Sequence, residues 1–162
     1  MELALLRHGV AEDADSEGGD EARALTPDGA ERMRWAAAGM ASLGLRPEVV
    51  LTSPLVRCRE TADIVVEVVG GEVVADDRLK PGMGLDELAG AVAIVPEAAR
   101  VMVCGHQPDL SQVAAELLGG GRVEFQKGAL VVLEAGAVRA GAAYLRAAYP
   151  PSTLRLLAAS SG

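Results

Sequence analysis

The sequence predicts an α/β fold, a three-layer sandwich with helices on both faces of a mostly parallel central sheet and an antiparallel edge. Three observations predict it. Short apolar runs of strand length alternate with longer stretches of helical periodicity, the pattern of repeated strand–helix units. Half of the residues are hydrophobic, yet the only aromatic ones are Trp35, Phe125, Tyr144 and Tyr149, so the core must be Leu, Val and Ala packed between layers. A hydroxyl followed by proline, a helix-start signal, occurs at Thr26-Pro27 and Ser53-Pro54.

In chain order, the apolar start Glu2–Leu6 reads as the first strand. Ala11–Asp20 is acidic and rich in small residues, which makes it an exposed loop. A helix over Pro27–Leu43 leads to a strand at Glu48–Thr52, and a helix over Pro54–Val69 to a strand at Glu72–Ala75. Then come a helix at Leu85–Val95, a strand at Val101–Cys104 and a helix at Pro108–Leu118. Strands at Ala129–Glu134 and Ala142–Ala148 are joined only by Ala135–Gly141, too short for a crossover, so they form an antiparallel hairpin at one edge. A last helix covers Pro151–Ala158. With no repeat and no linker, a single domain over 1–162 is expected, long enough to bury a proper core.

Composition excludes several classes. A formal net charge of −8 and so few aromatics argue against nucleic acid, which rewards basic surfaces and stacking platforms. Cys58 and Cys104 are too few for a disulfide framework, and no zinc motif or metal cluster is present. Arg7 interrupts the first apolar run and nothing basic precedes it, which speaks against a signal peptide. No apolar stretch is long enough to span a bilayer. A cytoplasmic protein without membrane or nucleic-acid partners is expected.

The two histidines are placed alike. His8 sits in Arg7-His8-Gly9 after the first strand, and His106 in Gly105-His106-Gln107-Pro108 after the fourth. A neutral imidazole held in one tautomer is a competent nucleophile towards phosphorus, and a protonated one neutralises a phosphoryl oxygen. Arg7 offers a planar fork for phosphate oxygens, and Gly9 removes a side chain where ligand and backbone approach. Ser53-Pro54-Leu55-Val56-Arg57 follows the second strand and puts Arg57 about one turn into a helix, whose N-terminal amides favour an anion. Arg59 should point elsewhere. All three motifs follow strands, where open parallel sheets bind ligands.

Arg-His-Gly, Ser-Pro-Leu-x-Arg-x-x-x-Thr-Ala and Gly-His-x-Pro, in this order and at these spacings, resemble the histidine phosphatase superfamily, with its phosphoglycerate mutase-like fold. The short chain and the segment Arg23-Ala24-Leu25-Thr26-Pro27-Asp28-Gly29 are similar to its SixA-type phosphohistidine phosphatase branch. The resemblance covers the chain from Glu2 to near its end. It implies that His8 accepts the phosphoryl group, that Arg7, Arg57 and His106 surround it, and that Arg23 touches phosphate or substrate. It implies no cofactor and no metal.

One departure bears on the substrate, a phosphoprotein or a small phosphorylated compound. Many ester-cleaving members carry a glutamate in mid-chain that protonates the leaving oxygen, but Asp77-Arg78-Leu79-Lys80-Pro81-Gly82 has Lys80 there. Glu12, Asp13 and Glu87 are the remaining acids to consider, each read first as a surface residue. An imidazole leaving as a neutral amine, of conjugate-acid pKa about 6.5, needs no such donor, whereas a sugar alkoxide does. The expected activity is therefore a phosphohydrolase acting on phosphohistidine through a covalent phospho-His8. A phosphomonoesterase of small metabolites and a non-catalytic phosphate-binding module stay open. Cys-x5-Arg chemistry is absent, since the sixth residue after Cys58 is Ile64 and after Cys104 is Leu110; Cys104 is expected to be a buried thiol, and Lys127 lies near the start of an edge strand. An arginine about 4 Å from a phosphate contributes roughly 4 kcal/mol at an effective dielectric of ~20, against about 0.2 kcal/mol from a carboxylate some 20 Å away in water. The local cluster therefore outweighs the acidic surface.

Overall fold

The computed structural model describes residues 1–14 and 18–160. Its strands are β1 (Glu2–Arg7), β2 (Val49–Thr52), β3 (Glu72–Ala75), β4 (Arg100–Gly105), β5 (Leu130–Ala135) and β6 (Ala143–Tyr149). Its helices are α1 (Gly19–Ala22), α2 (Pro27–Ser42), α3 (Val56–Val69), α4 (Leu85–Val92), α5 (Asp109–Leu117) and α6 (Pro151–Ala159), with a 3-10 turn at Asp77–Leu79. The strands form one sheet in the order β3-β2-β4-β1-β5-β6. The pairs β2·β3, β2·β4 and β1·β4 are parallel, while β1·β5 and β5·β6 are antiparallel. The expected α/β sandwich and its antiparallel edge hairpin are both present.

The period of two along each strand divides the core. Ala4, Leu6, Val50, Met102, Leu130 and Val132 face α2, α3 and α6, and Leu3, Leu5, Leu51, Val103, Val131 and Leu133 face α4 and α5. Because both faces are covered, the strands read as continuous apolar runs rather than alternating ones. None of the helices among the described residues is long and apolar enough to cross a membrane.

Two expectations change. The Thr26 hydroxyl does accept from Gly29 N at 2.9 Å with Pro27 at the first helical position, but Ser53 is not the cap of α3. That helix starts only at Val56, behind Leu55, and the Ser53 hydroxyl instead meets the His106 ring at 2.8 Å. The stretch Ala11–Asp20 is not simply an exposed loop. Ala11 is buried and bridges to Leu25, and the far end coils into α1; residues 15–17 lie outside the described residues.

Helices α2 and α6 cross closely at Gly39, where a Cβ would collide with the Leu154 carbonyl oxygen. Gly39→Ala gains helix propensity but must push the helices apart, an overpacking cost of about 1–3 kcal/mol. Thermal unfolding should show Tm lowered by about 2–4 °C for each kcal/mol; an unchanged or raised Tm would mean that the interface yields freely.

Candidate active site

Parallel pairing brings the motifs together. Arg7 of β1 lies in register with Gly105 of β4, and Thr52 of β2 with Cys104. The bonding continues one residue further, with His8 N donating to Gly105 O at 3.3 Å and Ser53 N to Cys104 O at 3.1 Å. From there the chain leaves β1 towards β2 on one side, and leaves β4 towards β5 on the other. This is the reversal of strand order at which open sheets form a crevice.

Arg7, His8, Arg23, Arg57 and His106 all line one cavity of about 350 Å³, together with Asp20, Pro81, Gln107 and Lys127. Larger clefts of about 520 and 680 Å³ lie beside α5 and between α2 and α6, but neither contains an imidazole. In the cavity the His8 and His106 ring centroids are 5.5 Å apart.

His8 is 7% exposed, and its Nδ1 meets the Gly9 carbonyl at 2.7 Å. A carbonyl only accepts, so Nδ1 carries the hydrogen and Nε2 keeps its lone pair. Burial, followed by the positive field of the basic groups around it, lowers the His8 pKa to about 3 despite the opposing bond to Gly9. The imidazole is therefore neutral at physiological pH. Gly9 N donates to the Thr61 hydroxyl at 3.1 Å, which donates to the Arg57 carbonyl at 2.7 Å, so α3 and the turn after β1 are locked together.

Arg57 is 5% exposed and is the second residue of α3, nearer the helix N-terminus than expected. Its Nη2 lies 3.4 Å from His106 Nδ1. A guanidinium only donates, so Nδ1 is the acceptor and Nε2 donates to Ser53 Oγ at 2.8 Å. Cys58 Sγ stands 3.5 Å from the same Nε2. Burial pushes the Cys58 thiol up, but the hydrogen bonds with Cys104 and His106 and the positive field that includes Arg57 bring it down to about 6. Cys104 is the buried thiol expected, its pKa raised by burial. Arg7 Nη1 donates to the Phe125 carbonyl at 2.8 Å, and Gly128, at φ 82°, donates to the Arg7 and His8 carbonyls. That turn, which favours glycine, delivers Lys127 to the cavity.

Arg23 reaches the cavity wall, its Nε on the Glu12 carbonyl at 2.6 Å and its Nη1 on Asp20 Oδ1 at 2.8 Å. Other expectations shift. Gly9 is required by packing rather than by ligand approach, since a Cβ there would lie 2.7 Å from Met33 Cγ. Lys80 pairs with Asp77 at 3.2 Å, and it is Pro81 that lines the cavity. As read, Glu12, Asp13 and Glu87 are exposed, and Glu87 closes the start of α4 by accepting from Gly84 N at 3.0 Å. Arg59 points to solvent as read. Sequence reasoning missed Ser53 as the partner of His106, Cys58 as its neighbour and Asp20 altogether. Ser53 was visible in its motif, whereas Asp20 sits in an acidic loop with nothing to distinguish it.

The sequence profile of the histidine phosphatase superfamily (branch 1) matches residues 3–84. An uncharacterized protein of Picosynechococcus sp. is 34% identical over 149 residues, 86% of this chain and 88% of its own length. A structure described as the protein histidine phosphatase SixA complexed with tungstate superposes with a TM-score of 0.84 at 23% identity, covering 95% of this chain and 99% of that one. A protein of Nakamurella multipartita, provisionally named phosphohistidine phosphatase SixA, superposes with a TM-score of 0.78 at 29% identity, covering 93% of this chain and 95% of that one.

The low pKa of His8 has a thermodynamic consequence. Below pH 6.5 the unfolded chain takes up a proton at this residue, whereas the folded protein does not until about pH 3. Folded stability therefore falls as pH drops through this window, by about 2–3 kcal/mol at pH 4.5. His8→Ala should remove this part of the acid sensitivity. Urea unfolding of both proteins at pH 7 and pH 4.5 measures it, and equal pH dependence in the two would contradict a neutral, buried His8.

Proposed function

The chain belongs to the histidine phosphatase superfamily, and from that premise we propose that it removes the phosphoryl group from phosphohistidine on a protein through a covalent phospho-His8 intermediate. The observation that carries this reading is the His8 Nδ1–Gly9 carbonyl bond of 2.7 Å, which leaves an unprotonated Nε2 in a cavity where Arg7, Arg23, Arg57 and Lys127 converge. His8 Nε2 attacks phosphorus, the N–P bond of the substrate breaks, and its electron pair leaves on the substrate imidazole. Water then attacks phosphorus, the P–Nε2 bond breaks, and His8 returns to its neutral form. Arg7, Arg57 and His106 stabilise the charge on the equatorial oxygens, with Arg23 and Lys127 at the wall. The buried Nε–H groups of Arg7 and Arg57 find no partner among the described residues, donor capacity suited to an oxyanion with several oxygens.

The likeness to a SixA phosphatase bound to tungstate supports a tetrahedral oxyanion as ligand. The choice of phosphohistidine rests on the leaving group. The one carboxylate lining the cavity among the described residues, Asp20, is held below the usual carboxylate range by the hydrogen bond from Arg23 and then that from Arg57. It is ionised at neutral pH and has no proton to donate to an alkoxide. Two free, buried thiols support the expected cytoplasmic setting.

His8→Ala should abolish phospho-enzyme formation and lower turnover by about 10³-fold or more, since the other imidazole in the cavity, His106, has both ring nitrogens engaged by Arg57 and Ser53. His106→Ala should slow turnover while leaving His8 open to phosphorylation. Acid-labile labelling that persists in His8→Ala would contradict the assignment. Across a series of phosphate monoesters, the rate should fall steeply as leaving-group pKa rises, with phosphohistidine and aryl phosphates far ahead of glycerol phosphate. A flat dependence would reveal a general acid and favour a metabolite phosphomonoesterase.

A further inference from the structure

We infer that Asp20 sets the leaving-group specificity of this site: a fixed negative charge on the wall of the phosphoryl cavity that admits neutral or cationic leaving groups and rejects those carrying a carboxylate. The inference deepens the proposed phosphohistidine activity and rests on it for the location of the phosphoryl group.

Asp20 is tied at both ends. Its carbonyl accepts from Arg57 Nη1 at 2.8 Å, Oδ2 accepts from Arg57 Nη2 at 3.1 Å, and Oδ1 accepts from Arg23 Nη1 at 2.8 Å. The carboxylate therefore holds its place beside the cavity although it comes from a loop and a helix of only four residues. Its side chain is still 52% exposed, and each oxygen has used one acceptor site of about two, so it faces whatever extends beyond the phosphoryl group. The phosphoryl group itself is still welcome, because among the described residues Arg7, Arg23, Arg57 and Lys127 outnumber this acid around the cavity. The half-exposed Asp20 oxygens, with acceptor sites left over from Arg23 and Arg57, are what a group attached to the phosphoryl oxygen or nitrogen meets on that wall. An imidazole N–H finds an acceptor in Asp20, whereas a carboxylate finds a like charge in a partly desolvated site. This discriminates phosphohistidine from carboxylated phosphate esters by charge, without any contact to the phosphorus.

Asp20 also positions Arg57, so an overall loss of activity in a variant would not separate the two roles. The separating measurement is a ratio. 4-Carboxyphenyl phosphate and 4-carbamoylphenyl phosphate are close in size and differ in one charge and, modestly, in leaving-group pKa, so the reading is the change of their ratio between variants. The wild-type enzyme should prefer the carbamoyl ester by tenfold or more in kcat/KM at low salt, beyond the preference its better leaving group gives in Asp20→Asn, with the preference shrinking as salt screens the half-exposed carboxylate. Asp20→Asn should cut the ratio by that factor, whatever happens to the absolute rates, and Asp20→Glu should restore it. A ratio unchanged in Asp20→Asn, or a wild-type ratio already near one, overturns the inference, as does an equal fall for both esters, which leaves Asp20 as a prop for Arg57 alone. If neither ester is turned over, the phosphatase reading is what has failed. The specificity is then read by calorimetry with the corresponding aryl phosphonates, where the same tenfold preference and its loss in Asp20→Asn are required.

Discussion

Everything at this site depends on the in-register parallel pairing of β1, β4 and β2. Strands in a sheet are about 4.8 Å apart, and Arg7 opposite Gly105 with Thr52 opposite Cys104 makes three strands end at one level. The residue after each end then projects from the same edge. A slip of β4 by one residue would move His106 about 3.3 Å along the strand and turn its neighbours to the other face. Register is secured by burial on both faces, since Leu3, Leu5, Val101 and Val103 on one side and Ala4, Leu6 and Met102 on the other each have only one compatible layer. The 5.5 Å between the two imidazoles is thus a property of the core as much as of the site.

The second constraint is electrostatic. Two imidazoles, three arginines and a lysine share a cavity of about 350 Å³, an arrangement that opposes itself until an anion enters. The fold contains the repulsion in two ways. His8 is kept neutral by burial and by the very charges around it, which is also what leaves the Nε2 lone pair free. Arg57 is held between the Asp20 carboxylate and the N-terminal turn of α3, so its guanidinium remains aimed at the cavity while unliganded neighbours repel it. The acidic surface, with a net charge of −8 for the chain, acts from much farther away and through water, where screening leaves it little influence on the bound phosphoryl group.

Legibility followed sequence distance. Strand and helix spans were readable because burial on two faces writes long apolar runs, and because Thr26-Pro27 carries its own start signal. Where a residue's partner is remote the reading failed. Ser53 looks like a helix cap from its neighbours, yet its hydroxyl answers to His106, 53 positions away. Gly9 looks like room for a ligand, yet the space belongs to Met33 of α2. Cys58 carries no local sign of a partner, yet its sulfur stands 3.5 Å from His106 Nε2, 48 positions away.

By itself, the sequence determined the layered α/β architecture, the antiparallel edge hairpin and the chemistry on offer: two imidazoles and the arginines of the three motifs, each beside a strand end. These follow from local periodicity and short motifs, which neighbouring residues decide. The tertiary structure alone decided the tautomer of each histidine, the tie between Asp20 and the arginines, and the fact that the carboxylate lining the cavity among the described residues is an ion-paired one. Hydrogen bonds and charges act across space at 3–5 Å, between residues tens of positions apart in the chain, and only the folded sheet edge sets those distances.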